Sequence, residues 1–133
     1  MQKTYLRCRE CKKEYDSTFK YICDECFGPL DVHYNFPSLT KNTFVNREQT
    51  YWRYFELLPI TDKSNIVSIN AGMTPLVKAE KLGKAIGLNN LYIKNDSVNP
   101  TFSFKDRPAG VAVSKAKEFG LESVGCASTG NLA

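Results

Sequence analysis

The sequence predicts an α/β fold in two parts, a small cysteine-stapled ribbon over residues 1–35 and the opening portion of a larger layered domain over 66–133, with a connector across 36–65. Three observations predict it. Two Cys-x2-Cys pairs, Cys8/Cys11 and Cys23/Cys26, lie close together near the N-terminus. Beyond residue 66 the apolar spacing switches between a strand period and a helix period. Gly87 and Gly120 stand where the two helical stretches beyond residue 66 should stop. Hydrophobic residues at 42% and aromatics at 12% exclude the disordered class.

The ribbon has few large aliphatic residues, so a metal must replace part of its core. Tyr5, Tyr15, Phe19, Tyr21, Ile22 and Phe27 are expected to pack around that metal. From residue 35 to 46 the apolar pattern lapses, as a connector requires. Tyr51, Trp52, Phe55 and Leu58 then recur at near-helical spacing and Pro59 cannot continue a helix, which predicts one short helix over 47–58. Residues 66–69 alternate as a strand. Ala79, Leu82 and Ile86 share a helical face that ends at Gly87, and residues 91–93 form the next strand. Ala109, Ala112, Val113 and Ala116 repeat at helical spacing before Gly120, which predicts a helix over 109–119. A strand at 124–127 and a helix opening at Ser128 complete the order, and right-handed crossovers would make these strands parallel.

Zinc favours four thiolates in a tetrahedron, and a Cys-x2-Cys turn brings two sulfurs together. The two pairs therefore predict a structural zinc on Cys8, Cys11, Cys23 and Cys26, with Gly28 serving the second turn. Iron in the same cage and free or redox thiols are the alternatives. A complete shell leaves no open position for catalysis, and it makes His33 an ordinary polar residue. The fifth cysteine, Cys126, reads as a small core residue of a strand. Paired cysteines in odd total number suit a reducing compartment.

The net charge of +4 raises the question of nucleic acid. Six basic residues in positions 1–30 face five acidic ones, and a zinc tetrathiolate lowers the whole chain from +4 to +2. The expectation is no nucleic-acid partner, although a stand-alone zinc-binding interaction module remains the rival reading. No apolar run approaches the ~20 residues that span a bilayer, and residues 1–6 carry no signal-peptide core. The expected location is cytoplasmic, without a membrane partner.

Lys105, in Ser103-Phe104-Lys105-Asp106-Arg107, sits at a loop-to-helix junction where Phe102 and Phe104 would partly shield its amine. Desolvation lowers a lysine pKa, which suits nucleophilic or Schiff-base chemistry; the alternative is a solvated lysine at a helix start. Ser128-Thr129-Gly130-Asn131 follows a predicted strand, and the free N–H groups of such a turn favour an anion. The alternative there is an ordinary helix cap.

The cysteine quartet with Gly28-Pro29-Leu30, then Trp52-Arg53-Tyr54, Leu57-Leu58-Pro59, Met73-Thr74-Pro75-Leu76, Leu91-Tyr92-Ile93-Lys94-Asn95, Asn99-Pro100-Thr101, residues 103–107 and residues 127–131 together resemble the threonine synthases, in their zinc-ribbon-bearing form. The resemblance spans almost the whole chain. It implies a fold type II pyridoxal phosphate enzyme, a three-layer domain like tryptophan synthase β, of which this chain carries the opening part. It further implies that Lys105 is the Schiff-base lysine and catalytic residue, and that Asn131 contacts the cofactor's phenolic oxygen. Ser128, Thr129 and Gly130 would receive the substrate carboxylate.

The implied reaction converts O-phosphohomoserine and water to threonine and phosphate, and relatives acting on other substrates, such as cysteate synthase or threonine dehydratase, are the alternatives within enzymes. In such enzymes a glycine-rich phosphate loop and a Ser/Thr near the pyridine nitrogen come later, so the 133-residue chain alone is expected to be inactive. Exposed strand edges favour self-association, and a homo-oligomer is an expected state. Two departures stand out. Ala71-Gly72-Met73-Thr74-Pro75-Leu76 stands in place of the usual Gly-Gly-Thr-Pro-Leu, a local change expected to leave the turn intact, and Pro108 takes a position commonly held by glycine, which predicts a shifted helix start.

Overall fold

The computed structural model describes residues 3–132. Strands β1 (Thr4–Cys8), β2 (Glu14–Asp16) and β3 (Leu30–Tyr34) form an antiparallel sheet in the order β2-β1-β3, with Leu6 opposite both Tyr15 and Val32. Burial alternates along β1, so Thr4, Leu6 and Cys8 share the inner face. A one-turn helix α1 (Asn42–Val45) leads to a 3-10 helix, Tyr51–Leu57, kinked at Tyr54. The predicted α-helix over 47–58 is thus a shorter and tighter element. Its apolar spacing still works: Tyr51, Trp52 and Phe55 are buried and form the core with Ile60 and Ala71, against which Leu58, Ile66 and Val111 pack. The segment read as a connector supplies most of this core.

Strand β4 (Leu76–Lys78), helix α2 (Glu80–Ile86) and strand β5 (Tyr92–Lys94) follow, and α3 (Asp106–Glu118) is the longest helix. Helix α2 ends in the left-handed Gly87, and the Leu88 N–H closes back on the Gly83 carbonyl at 2.8 Å. Helix α3 ends in the same way, with Gly120 left-handed and Leu121 N–H on the Ala116 carbonyl at 3.0 Å.

Four expectations are corrected. Residues 66–69 form no strand: no described segment pairs with them, and the Val67 N–H donates to the Ser114 hydroxyl at 2.9 Å. Residues 124–127 likewise pair with nothing among the described residues, no helix opens at Ser128, and Cys126 is exposed rather than in a core. The strand pair that does form, β4 with β5, is antiparallel, since α2 turns the chain back on itself instead of carrying it across a sheet. Finally, Pro108 does not displace the helix start. It is the third residue of α3, where its missing N–H would have had no partner within the helix.

The ribbon is tied to the body by Lys3, whose ammonium donates to the carbonyls of Phe55 and Ile60, both at 2.6 Å, and lies 3.9 Å from the Phe55 ring centre. Phe19 meets Phe119 edge-on with centroids 5.9 Å apart. Phe19, Tyr21 and Phe27 are nevertheless mostly exposed, so they do not wrap the cysteines as expected. His33 stacks on Tyr5 across β1 and β3, at 5.4 Å between centroids.

Helix α3 crosses the core at Gly110, where a Cβ would lie 2.4 Å from the Tyr51 hydroxyl. That hydroxyl is buried without a hydrogen-bond partner among the described residues, and burial pushes its pKa up to about 12. Gly110→Ala is expected to cost about 1–3 kcal/mol through overpacking. Tyr51→Phe removes the clashing oxygen and sacrifices no hydrogen bond, so it should restore the Gly110→Ala chain when combined with it. Urea unfolding of the two single variants and the double variant measures the coupling.

In the connector, Arg47 grips Glu56 through two bonds, 2.6 and 2.8 Å, and also donates to the Arg53 carbonyl at 2.6 Å. The guanidinium pulls the Glu56 carboxyl down to about 2 from an ordinary 4.5. A group whose folded pKa is depressed stabilises above its unfolded pKa and loses that contribution as pH falls. Stability should therefore decline between about pH 4.5 and 2. Glu56→Gln is expected to flatten that part of a thermal-melting profile.

Candidate functional site

Two places in the chain concentrate chemistry. The first is the cysteine quartet, built from two matching turns. The Cys8 N–H donates to the Lys13 carbonyl at 2.8 Å while its carbonyl accepts from Lys12 N–H at 3.2 Å. In the second turn the Cys23 N–H donates to the Gly28 carbonyl at 2.9 Å and its carbonyl accepts from Phe27 N–H at 3.1 Å. Lys12 and Phe27, each just after the second cysteine of its pair, both take left-handed backbone angles, φ +66° and +57°. The repeat of bonds and angles makes the turns near-equivalent halves of one cage. Gly28 is required for space rather than for its angles: a Cβ there would meet the Cys8 sulfur at 3.0 Å and the Glu10 side chain at 2.8 Å.

All four sulfurs lie within 4.8 Å of one another, with Cys8 to Cys26 at 3.4 Å and Cys11 to Cys23 at 3.5 Å. Thiolates held tetrahedrally about 2.3 Å from one metal ion would stand about 3.8 Å apart, within the spread seen here. Cys8 and Cys23 are buried, and Cys11 and Cys26 are exposed. A hydrogen bond from Tyr15 is the main influence that pulls the Cys23 thiol down to about 6. An all-sulfur donor set within this spacing fits a soft divalent metal.

The second place is the start of α3. Arg107 binds both oxygens of Asp96, at 3.0 and 2.6 Å, and Asp96 also accepts the Thr74 hydroxyl at 2.6 Å. Asn99 accepts the Gly72 N–H at 2.9 Å and donates to the Asp96 carbonyl at 2.9 Å. Asp106 caps its own loop, accepting the Thr101 N–H at 2.8 Å and the Thr101 hydroxyl at 2.5 Å. Thr74, Asn99, Ser103 and Asp106 are all buried. Arg107 holds the Asp96 carboxyl well below the usual range, so this frame stays charged and closed at neutral pH.

Within that frame the Lys105 backbone N–H is held by the Ser103 hydroxyl at 3.1 Å. Its side chain is half-buried, and among the described residues its amine takes part in no hydrogen bond or ion pair; it lies 5.1 Å from the Phe104 ring centre. Phe104 therefore covers the lysine as expected, whereas Phe102, in the left-handed region at φ +59°, is 80% exposed. An anchored backbone carrying an unengaged amine fits a group that must condense with that amine.

Residues 128–131 form a turn in which the Ser128 hydroxyl accepts the Gly130 N–H at 3.2 Å. Thr129, Gly130 and Asn131 are exposed, and no hydrogen bond joins the turn to Lys105 among the described residues. The framing residues Asp96, Asn99, Thr74 and Asp106 were not among the site residues inferred from sequence. Their segments were visible in Met73-Thr74-Pro75 and Asn99-Pro100-Thr101, but nothing in them announces a partner up to 27 residues away.

The half of the chain that carries this lysine and its braced loop, residues 67–133, matches the family model described as pyridoxal-phosphate dependent enzyme. The chain belongs to that family. Among curated proteins it is 45% identical over 130 residues to the threonine synthase of Methanocaldococcus jannaschii, covering 94% of this chain and 32% of the relative. It is 42% identical over 130 residues to the threonine synthase of Methanosarcina acetivorans, covering 96% and 32%. The threonine synthase of Synechocystis sp. matches at 46% over 84 residues, covering 62% and 21%. The chain spans about a third of the length of the first two relatives. No helix among the described residues is long and apolar enough to cross a membrane.

Proposed function

We propose that this chain supplies the zinc site and the cofactor lysine of a threonine synthase, which converts O-phosphohomoserine and water to threonine and phosphate. The observation that carries the reading is Lys105, an amine without a hydrogen-bond or ion-pair partner among the described residues on a loop pinned from both sides, in a chain whose relatives over nearly its full length are threonine synthases. Pyridoxal phosphate, when bound, would supply an aldehyde for a lysine or substrate amine and a ring that draws electrons from the adjoining carbons. Lys105 Nζ would hold the cofactor between turnovers, then remove the proton at the substrate Cα and move protons at Cβ and Cγ. Phosphate leaves from Cγ and the oxygen of water joins Cβ. Asn131 would donate to the cofactor's phenolic oxygen, and the N–H groups of Ser128, Thr129 and Gly130 would receive the substrate carboxylate. These residues lie on an exposed turn, open to a ligand.

The cysteine cage is read as a structural zinc site, since its sulfur-only donors leave no position for substrate. The metal would hold the ribbon, and the ribbon braces the Tyr51–Leu57 helix through Lys3. The fold is read as the opening of a type II pyridoxal phosphate domain in a cytoplasmic enzyme.

The test places this chain in the Methanocaldococcus jannaschii threonine synthase in exchange for the 130 aligned residues. The chimera is expected to release phosphate from O-phosphohomoserine in step with threonine, and to leave O-phosphoserine untouched. Turnover of O-phosphoserine in preference would move the assignment to another enzyme of the family.

A further inference from the structure

The four sulfurs of the cage are not equivalent: besides differing in burial, only the Cys23 sulfur faces a side-chain hydroxyl among the described residues. Tyr15 sits at the centre of β2, opposite Leu6, with its hydroxyl 3.0 Å from the Cys23 sulfur. The same oxygen accepts the Asp24 N–H at 3.1 Å. A phenol has one proton, and with its oxygen already accepting from the backbone that proton is directed at the sulfur. Cys23 also receives the Glu25 N–H at 3.4 Å, so the innermost thiol of the cage, with no exposed surface, has two donors aimed at it. The ammonium groups of Lys20 and Lys13 lie 4.7 and 5.5 Å from the Tyr15 ring centre and hold the ring in register.

We propose that Tyr15 is a positioning residue for the metal, whose hydroxyl donates to the Cys23 sulfur and keeps that ligand bound. Four thiolates around a dication carry two excess negative charges, and in a buried position these need donors to disperse them. Partners of this outer kind govern how tightly a metal is retained even though they never touch it. The exposed pair, Cys11 and Cys26, is then the side on which the cage opens, and Tyr15 guards the side on which it does not.

The proposal rests on the zinc reading above, and the experiment separates the two. The 133-residue chain and its Tyr15→Phe variant are loaded with zinc, and transfer of the metal to a coloured chelator is followed at fixed pH. Phenylalanine keeps the ring and removes only the donor. Zinc affinity is expected to fall by about 10-fold or more, with the metal leaving correspondingly faster. Unchanged affinity and release rate in the variant overturn the proposal and leave the zinc reading standing. A wild-type chain that takes up no zinc overturns both.

A measurement on the wild-type chain alone does not depend on the variant folding. In the cadmium-113 form the Tyr15 hydroxyl proton is expected to exchange slowly and to couple to cadmium through the Cys23 sulfur. A fast-exchanging, uncoupled proton would show that the hydroxyl points elsewhere, and the proposal would fail.

Discussion

Lys105→Ala, made in the chimera with the Methanocaldococcus jannaschii enzyme, is expected to lower threonine formation by about 10³-fold or more, because on the function proposed above it removes both the covalent anchor of the cofactor and the base that moves protons at the substrate. The effect should fall on kcat, since the proposed function assigns the substrate carboxylate to the turn at residues 128–130 and not to Lys105. Its structural consequence should be small. The Lys105 side chain has no hydrogen bond or ion pair among the described residues, and its backbone N–H to Ser103 survives the substitution. A thermal melt within a few degrees of the parent, alongside the lost turnover, is the expected pair of results. Borohydride reduction of the cofactor-treated parent followed by peptide mapping should place the label on Lys105, and on none of the paired lysines such as Lys3 or Lys115. Label spread evenly over the lysines would show that the loop does nothing special for this amine.

The second large effect is expected from Cys8→Ala, with the fifth cysteine as control. Cys8 ends β1, is 1% exposed, and its backbone closes the first turn of the cage. Structural zinc contributes on the order of 10 kcal/mol to the folding of small domains that lack a core, and the ribbon buries only Leu6 among its large aliphatic residues. Losing one of four sulfurs should drop zinc content from one equivalent to none, and amide protection across β1, β2 and β3 should collapse to that of an unfolded segment. The Tyr51–Trp52–Phe55 core keeps its own apolar contacts and should retain protection, although without the two bonds from Lys3 it should exchange faster. Cys126→Ala, at an exposed position away from the cage, should change neither zinc content nor protection. One equivalent of zinc retained by Cys8→Ala would refute the four-sulfur assignment.

How much of this was legible beforehand depended on the distance between partners. The cage was legible because each Cys-x2-Cys pair fixes its own turn within a few residues, and the two halves then repeat one bonding pattern. The body of the helix found over 106–118, predicted over 109–119, was legible from the spacing of Ala109, Ala112, Val113 and Ala116 and from its glycine stop, but its first turn was not. The aromatic run at 51–58 announced a buried face correctly but not its winding, since the kink at Tyr54 yields a 3-10 helix with the same side chains inward. Strand readings failed where they needed a neighbour that spacing cannot supply. Residues 66–69 and 124–127 have strand-like sequences, yet a strand exists only where a second backbone answers it, and β4, which was not foreseen, exists because β5 returns alongside.

The frame around Lys105 shows the same division. Its helix and the loop ahead of it follow from short-range spacing, because a helix and a tight turn draw their bonds from residues a few positions apart, whereas Lys105 was singled out by the resemblance of its surrounding motif. Arg107 on Asp96, Thr74 on Asp96 and Gly72 on Asn99 span 11 to 27 residues and hold together only after the loops have been folded onto one another. The same is true of Lys3 on Phe55 and Ile60, and of Tyr15 on Cys23. Chemistry that a single turn can assemble was written in residue order; the braces that aim it came into being with packing, since a hydrogen bond between distant segments has no local signature.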